Sequence, residues 1–475
     1  MLRDRYAPQD LFALVPEAAL AFDPVLARLD VLLDDDDLYQ RVRADLATRS
    51  PRTTTRGRPS TPVAVILRLL LVRRLYGWSD AEVARFVNDS LVLRQFCRVY
   101  LRPVPDDTTR IRWSALIGPE AVAARNDRVV ALAQAARVTR GRRRRIDGTV
   151  VETNVRHPTD STTLGDGVRV IGRLLRRARR ALGDAAALPT QAFRTRTRSV
   201  RRLTQQRHRV ARRKGERAAE DRKGAYATRI DIARASQRQA TRVGAALRAR
   251  AAERGRRLAD HLDRVLPLVD RAIAQATRRV LHGEAVPASE NVLSLFEPHT
   301  QAIRRHTPGK LTEFGRKVLL DETAGGIVSH DAVLDSVGLE HPHFVASLDA
   351  HQARFGRAPD LVAGDRGLYT PEHEERARER GVRRVVLPTA GRASQERQHH
   401  ERQRWFRRGF RFRAGMAGRI HVLKRDDGLD RCRDHGEEGF GRWVGWGIVA
   451  HTLTQIAKAQ ATTVGRKARP ARRAA

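Results

Sequence analysis

The chain has 475 residues, too many for one hydrophobic core, so two to four structural units are expected. Its 92 Lys and Arg against 54 Asp and Glu leave a formal charge of +38, which requires a polyanionic partner. No run of about 18 apolar residues and no signal peptide is read, which favours nucleic acid over an anionic membrane surface and sets the expected location as cytoplasmic and nucleoid-associated. The basic residues are mostly Arg, which suits bidentate phosphate and guanine contacts and equally fits a GC-rich coding bias. Cys97 and Cys432 lie in unrelated segments, so neither a disulfide framework nor a zinc site is expected.

The first unit, to about residue 137, reads as helical. Val63, Ile66, Leu67, Leu70 and Leu71 recur at three- and four-residue spacings, predicting an amphipathic helix opened at Pro62. Ser79 with Glu82 forms a capping box that opens a second. A third begins at Asp106 or Asp107, with Thr108, Thr109, Arg110 and Arg112 crowding its first turns. Three short helices ending in a basic one are compatible with a plain bundle and with a helix-turn-helix whose last helix enters the major groove.

After the run RGRRRR the segment IDGTVVETNV is β-branched and strand-like. Residues 165–285 read as basic and helical, with apolar faces at both ends and a charged middle that suits a solvated helix, a disordered arm or a DNA-contacting surface. From residue 290 the runs NVLSLF, KVLLDE, GGIVSHDAVL, DLVAGD and RRVVLP predict strands. Helical patterns intervene at HFVASLDAHQARFG and TPEHEERARERG, so an α/β or α+β layer is expected. The tail, 461–475, is basic and expected to be disordered. His341 with His343, and His399 with His400, are taken as solvated loop histidines, since no HExxH pattern accompanies them.

Two acids sit at strand-like segments. Asp147 lies within RIDGTVVETN, and Asp365 ends DLVAGD between Gly364 and Gly367. Carboxylates on two strands of one sheet can converge on divalent ions for phosphoryl transfer. The alternatives are a hairpin turn at Asp147-Gly148 and a backbone-bonding turn at Asp365. Farther on, Arg413, Ala417 and Lys424 are separated by four and seven residues; at about 100° per residue they share one helical face.

These segments together resemble a bacterial insertion-sequence transposase of the DDE class. The family carries Tyr, Arg, Glu and Lys at the spacing that here falls on Phe410, Arg413, Ala417 and Lys424. GRPSTP with RLLLVRRLYGWSDAEV, IDGTVVETN, VLSLFEP, AGDRGLY and GFGRWVGWGIVAHTLTQIA follow the family order. The resemblance implies that Asp147 and Asp365 are the first two metal ligands for Mg2+ or Mn2+, and that Arg413 and Lys424 contact phosphate or the element end. Arg110, Arg112 and Arg419 join them as candidate DNA-binding residues. Position 417, which should carry the third carboxylate, holds Ala, and Phe410 replaces a hydrogen-bonding Tyr. Asp426, Asp427, Glu437 and Glu438 lie downstream but share no helical position with it.

The expected architecture is an α/β RNase H-like catalytic core, a mixed sheet flanked by helices, at 138–164 and 286–460. A basic helical insertion at 165–285 explains why the two acids are 218 residues apart in the chain. An all-α, helix-turn-helix-like domain at 1–137 precedes the core. The expected function is metal-dependent cleavage and strand transfer at element ends, with double-stranded DNA and further copies of the chain as partners. The alternative is a catalytically inactive relative that binds the ends without cutting.

Overall fold

A computed structural model describes residues 1–14, 23–183, 188–210, 216–307, 310–335 and 340–467. It divides into two compact units, Met1–Glu152 with Lys317–Ala475, and Thr153–Arg316. In chain order the first stretch holds helices α1 (Pro24–Leu32), α2 (Asp36–Ala47), α3 (Val63–Leu75), α4 (Asp80–Asp89), α5 (Leu91–Phe96), α6 (Asp107–Ser114) and α7 (Pro119–Ala135), then strand β1 (Arg143–Glu152). The second unit contributes α8 (Asp160–Leu182), α9 (Thr197–Val210), α10 (Glu216–Arg250), α11 (Glu253–Ala276) and strand β2 (Gln301–Thr307). Strand β3 (Lys310–Thr323) leads back to the first unit, followed by β4 (Ile327–Val333), α12 (His341–Phe355), β5 (Leu361–Ala363), α13 (Pro371–Glu379), β6 (Arg384–Val386), α14 (Gln395–Arg402), α15 (Arg404–Arg425) and α16 (Gly436–Lys467).

The chain is therefore a mixed α/β protein. In the first unit β1 lies between β3 and β5, β6 follows β5, and β4 flanks β3. Strand β1 runs parallel to β5 (Arg145 opposite Ala363), and β5 parallel to β6, whereas β3 and β4 are antiparallel, with a register shift after Asp321. Alternation along β1 sends successive arginines to opposite faces. Arg144 reaches Asp321 and Ser347 of α12, and Arg145 donates to Glu322 and to the carbonyl of Phe412 on α15. Helices thus cover both faces of the sheet. Gly148 follows from the same crowding, since a Cβ there would come within 2.1 Å of Glu340 Oε1.

The capping box of α4 is present, with Ser79 and Glu82 bonded reciprocally, and Asp106 caps α6 by accepting from the amide of Thr109. The segment opened at Pro62 is not amphipathic. Every residue of α3 from Val63 to Arg74 is buried, because its apolar run leaves no polar stripe and its arginines find internal partners. Arg68, 1% exposed, is held by Asp30, Asp34 and the Phe96 carbonyl.

NVLSLF is not a strand. Val292 and Leu295 instead bury against α8 and α11 in the apolar cluster of the second unit. Residues 301–307, polar and basic and not read as a strand, form β2 by pairing with β3. The basic stretch is a set of long helices, α8 to α11, whose cluster runs from Leu164 to Leu295; the side chains of residues 204–219 in its charged middle lie outside the described ones. Helix α16 continues through Lys467, so the first part of the tail is helical, and residues 468–475 lie outside the described residues. The paired histidines sit on α12 and α14 rather than in loops, with His400 packed edge-on against Trp405. Both cysteines are free and buried, and no described helix is long and apolar enough to cross a membrane.

Candidate active site

Asp147 stands in the middle of β1, which excludes the hairpin-turn alternative. Asp365 lies two residues past the end of β5, the parallel neighbour of β1. Its backbone is extended, and Gly364, whose Cβ would meet Leu387 at 2.7 Å, lets the chain leave the sheet there. Neighbouring parallel strands therefore bring the two acids together. The proximity registers electrostatically. Burial first, then the charges of Asp365 and Glu340, push the Asp147 carboxyl up to about 6, against the pull of Arg413. Asp365 Oδ1 is buried with no hydrogen-bond partner among the described residues.

Arg413 of α15 donates its Nη2 to Asp147 Oδ2 at 2.8 Å. Helix α15 is amphipathic, burying Phe406, Gly409, Met416 and Leu423. Gly409 permits its close approach, because a Cβ would lie 2.5 Å from Val386 of β6. Ala417, one turn beyond Arg413, is exposed and brings no oxygen. Phe410 is also exposed and lines a cavity of about 520 Å³ with Arg366, Arg407 and Arg411. Glu340 is a further carboxylate near Asp147 that the sequence did not single out; it is buried and ion-paired with Lys317 at 2.7 Å. Its only sequence signal is a position just before a helical pattern. Among the described residues no three His, Cys, Asp or Glu side chains are grouped so as to hold a metal ion.

The downstream acids do not replace the missing group. Asp426 pairs with Arg425, Glu437 and Glu438 are exposed in the first turn of α16, and Asp427 is buried against His451. That last pair closes a chain of contacts. Glu322 accepts from Arg145 and Arg419, and Arg419 Nη1 lies 3.2 Å from His451 Nε2. An arginine can only donate, so His451 Nε2 accepts and its Nδ1 donates to Asp427 at 2.7 Å. Arg419 is thereby committed inside the protein rather than free for DNA. Arg110 is likewise turned to internal partners: it is 1% exposed, donates to the Pro105 carbonyl and faces Asp80, because α6 turns it inward against α4. Arg112, two residues on, is exposed. Lys424 lines a second, larger cavity.

The raised carboxyl of Asp147 fixes a stability trend. The folded protein binds this proton more tightly than the unfolded chain, so the group's destabilising effect is absent below about pH 3.8 and complete above about 6. Asp147→Asn is expected to stabilise the protein at pH 7.5 by about 1–3 kcal/mol, a gain that shrinks as pH falls toward 4. Urea unfolding at several pH values measures it. A variant less stable than the parent at pH 7.5 would contradict the assigned burial cost.

Two acids brought together by adjacent strands can bind a cation, and the basic helix beside them can bind phosphate oxygens. No curated protein and no solved structure matches the chain. Residues 10–115, the region of α1 to α6, match the family described as Transposase domain (DUF772), and the function this supports is that of a transposase, a class that acts on DNA.

Proposed function

We propose that the chain binds the ends of a mobile DNA element and acts on their phosphodiesters, with Asp147 and Asp365 as the metal-binding acids. The observation that carries this reading is the placement of one carboxylate on β1 and another just past the end of its parallel neighbour β5, with Arg413 bonded to the first. A mixed sheet covered by helices on both faces supports an RNase H-like core, and helices α4 to α6 with exposed Arg112 support a helix-turn-helix-like reader. The acids suit a hard cation such as Mg2+ or Mn2+: Asp365 has a buried oxygen with no donor, and Asp147 carries a charge that burial and its neighbours disfavour. When bound, the ion would activate the attacking hydroxyl and neutralise charge on the phosphate. Arg413 holds Asp147 in position until the ion and DNA arrive.

Position 417 leaves this site one carboxylate short, so we assign the chain as it stands little or no cleavage. The second reading, a protein that binds element ends without cutting, is favoured by two observations: the exposed Ala417 and the Arg413–Asp147 ion pair that already neutralises one ligand. DNA binding is common to both. At +38 it should be dominated by phosphate contacts, so log affinity should fall steeply and linearly with log salt, by about 10³-fold or more between 50 and 200 mM. Mobility-shift titrations across that range test it, and an affinity that barely changed would exclude a phosphate-dominated interface.

A further inference from the structure

The cavity that includes Lys424, about 640 Å³, lies within the first unit between the end of α3, the segment 425–433 and α16. Its walls are strongly cationic. Arg73, Arg74, Arg431 and Arg433 line it together with Trp443. Two carboxylates, Asp427 and Asp430, also line it, but that of Asp427 is engaged by His451.

Arg74 is the unusual member. It is 3% exposed, it donates one Nη2 bond to the Trp443 carbonyl at 2.6 Å, and its guanidinium lies 3.8 Å from the Trp443 ring centroid. Its Nε is buried with no hydrogen-bond partner. Its neighbour differs: Arg73 is ion-paired with Asp80 and Asp434. Arg74 makes no ion pair with any carboxylate among the described residues. Helix α16 holds it in place, for a Cβ at Gly447 would come within 2.5 Å of its Nη2. Burial and the charge of Arg73 push its pKa down to about 9, which leaves it charged at neutral pH.

Asp434 and Asp427 attract the Arg74 charge without pairing with it directly, so the buried guanidinium keeps part of its desolvation cost, and an anion bound to it offsets that part. Arg73 and Arg431 are ion-paired with Asp80, Asp434 and Glu152, which leaves the forks of Arg74 and Arg433 to meet the anion, a geometry that suits phosphate oxygens rather than a single-point halide. The cavity also has the volume of a nucleotide-sized ligand. We propose that this cavity is a phosphate site in which Arg74 anchors the phosphate group of a nucleic acid strand. The choice of nucleic acid rests on the transposase reading; the phosphate chemistry rests on Arg74 and Arg433 and requires neither metal nor cleavage.

The test is thermal unfolding of the full chain with three probes at matched ionic strength: inorganic phosphate, a thymidine dinucleotide, and the same dinucleotide with a 5′-phosphate. The expected result is a rise in Tm of about 3 °C at saturation with the dinucleotides, abolished in Arg74→Met and at least halved in Arg433→Gln. A greater rise with the phosphorylated dinucleotide assigns the site to a strand end, and an equal one assigns it to a bridging phosphodiester. A rise with inorganic phosphate alone overturns the assignment to nucleic acid. No rise, or a rise unchanged in both variants, overturns the site itself. If Arg74→Met does not fold, Arg433→Gln decides by the same criterion.

Discussion

Ala417→Glu is expected to raise Mg2+- or Mn2+-dependent nicking of DNA carrying the element ends by on the order of 10²-fold, from a background near zero. Position 417 lies one turn beyond Arg413, which already touches Asp147, and it is exposed, so the longer side chain needs no repacking. A carboxylate there adds an oxygen donor and a negative charge to a site now balanced by Arg413. The gain should vanish when Asp365→Ala is added, while DNA affinity stays within about twofold in both variants, since binding is spread over many phosphates. Nicking by the unmodified chain that survives replacement of Asp426, Asp427, Glu437 and Glu438 by Ala would show that a third acid is dispensable.

The largest expected loss of stability is at a different place, on the opposite face of the strand that carries Asp147. Arg144 and Asp321 are 0% and 1% exposed and meet at 2.8 Å. Arg144 also donates to Ser347. Removing one partner leaves a buried charge without compensation, so Asp321→Ala should cost about 3–5 kcal/mol. Replacing both, as Arg144→Met with Asp321→Leu, should restore much of that loss, because an apolar pair of similar volume avoids the desolvation of two ions. Chemical denaturation of the two variants measures it. A single variant within about 1 kcal/mol of the parent would mean that the pair is solvated and does not anchor β1.

How much of this was legible in the sequence depended on the range of the interaction. The β-branched run around Asp147 and the short apolar runs at 361–363 and 384–386 declare strands locally, and the Ser79 and Asp106 caps are readable because each partner is three residues away. Strand β2 carried no such signal, since its polar residues become a strand only by pairing with β3. Helix α3 misled for a related reason. Its periodicity was real, but arginines that read as a polar face are buried on partners far along the chain, such as Asp30 for Arg68 and the Trp443 carbonyl for Arg74. The same cause turns Arg110 and Arg419 toward internal partners. The spacing of Arg413 to Lys424 located the helix beside the acids, but neither Glu340 nor the Arg74 cavity could be read, as both are assembled from distant segments.

The most direct test of the central claim is a titration of Mn2+ into the unmodified chain, Asp147→Asn, Asp365→Asn and Ala417→Glu, read by loss of the free-ion electron paramagnetic resonance signal. One weak site is expected in the parent, with its loss in either Asn variant and binding at least about tenfold tighter in Ala417→Glu. Binding of equal strength in all four proteins would place the ion elsewhere and contradict the assignment of Asp147 and Asp365 as the metal-binding acids.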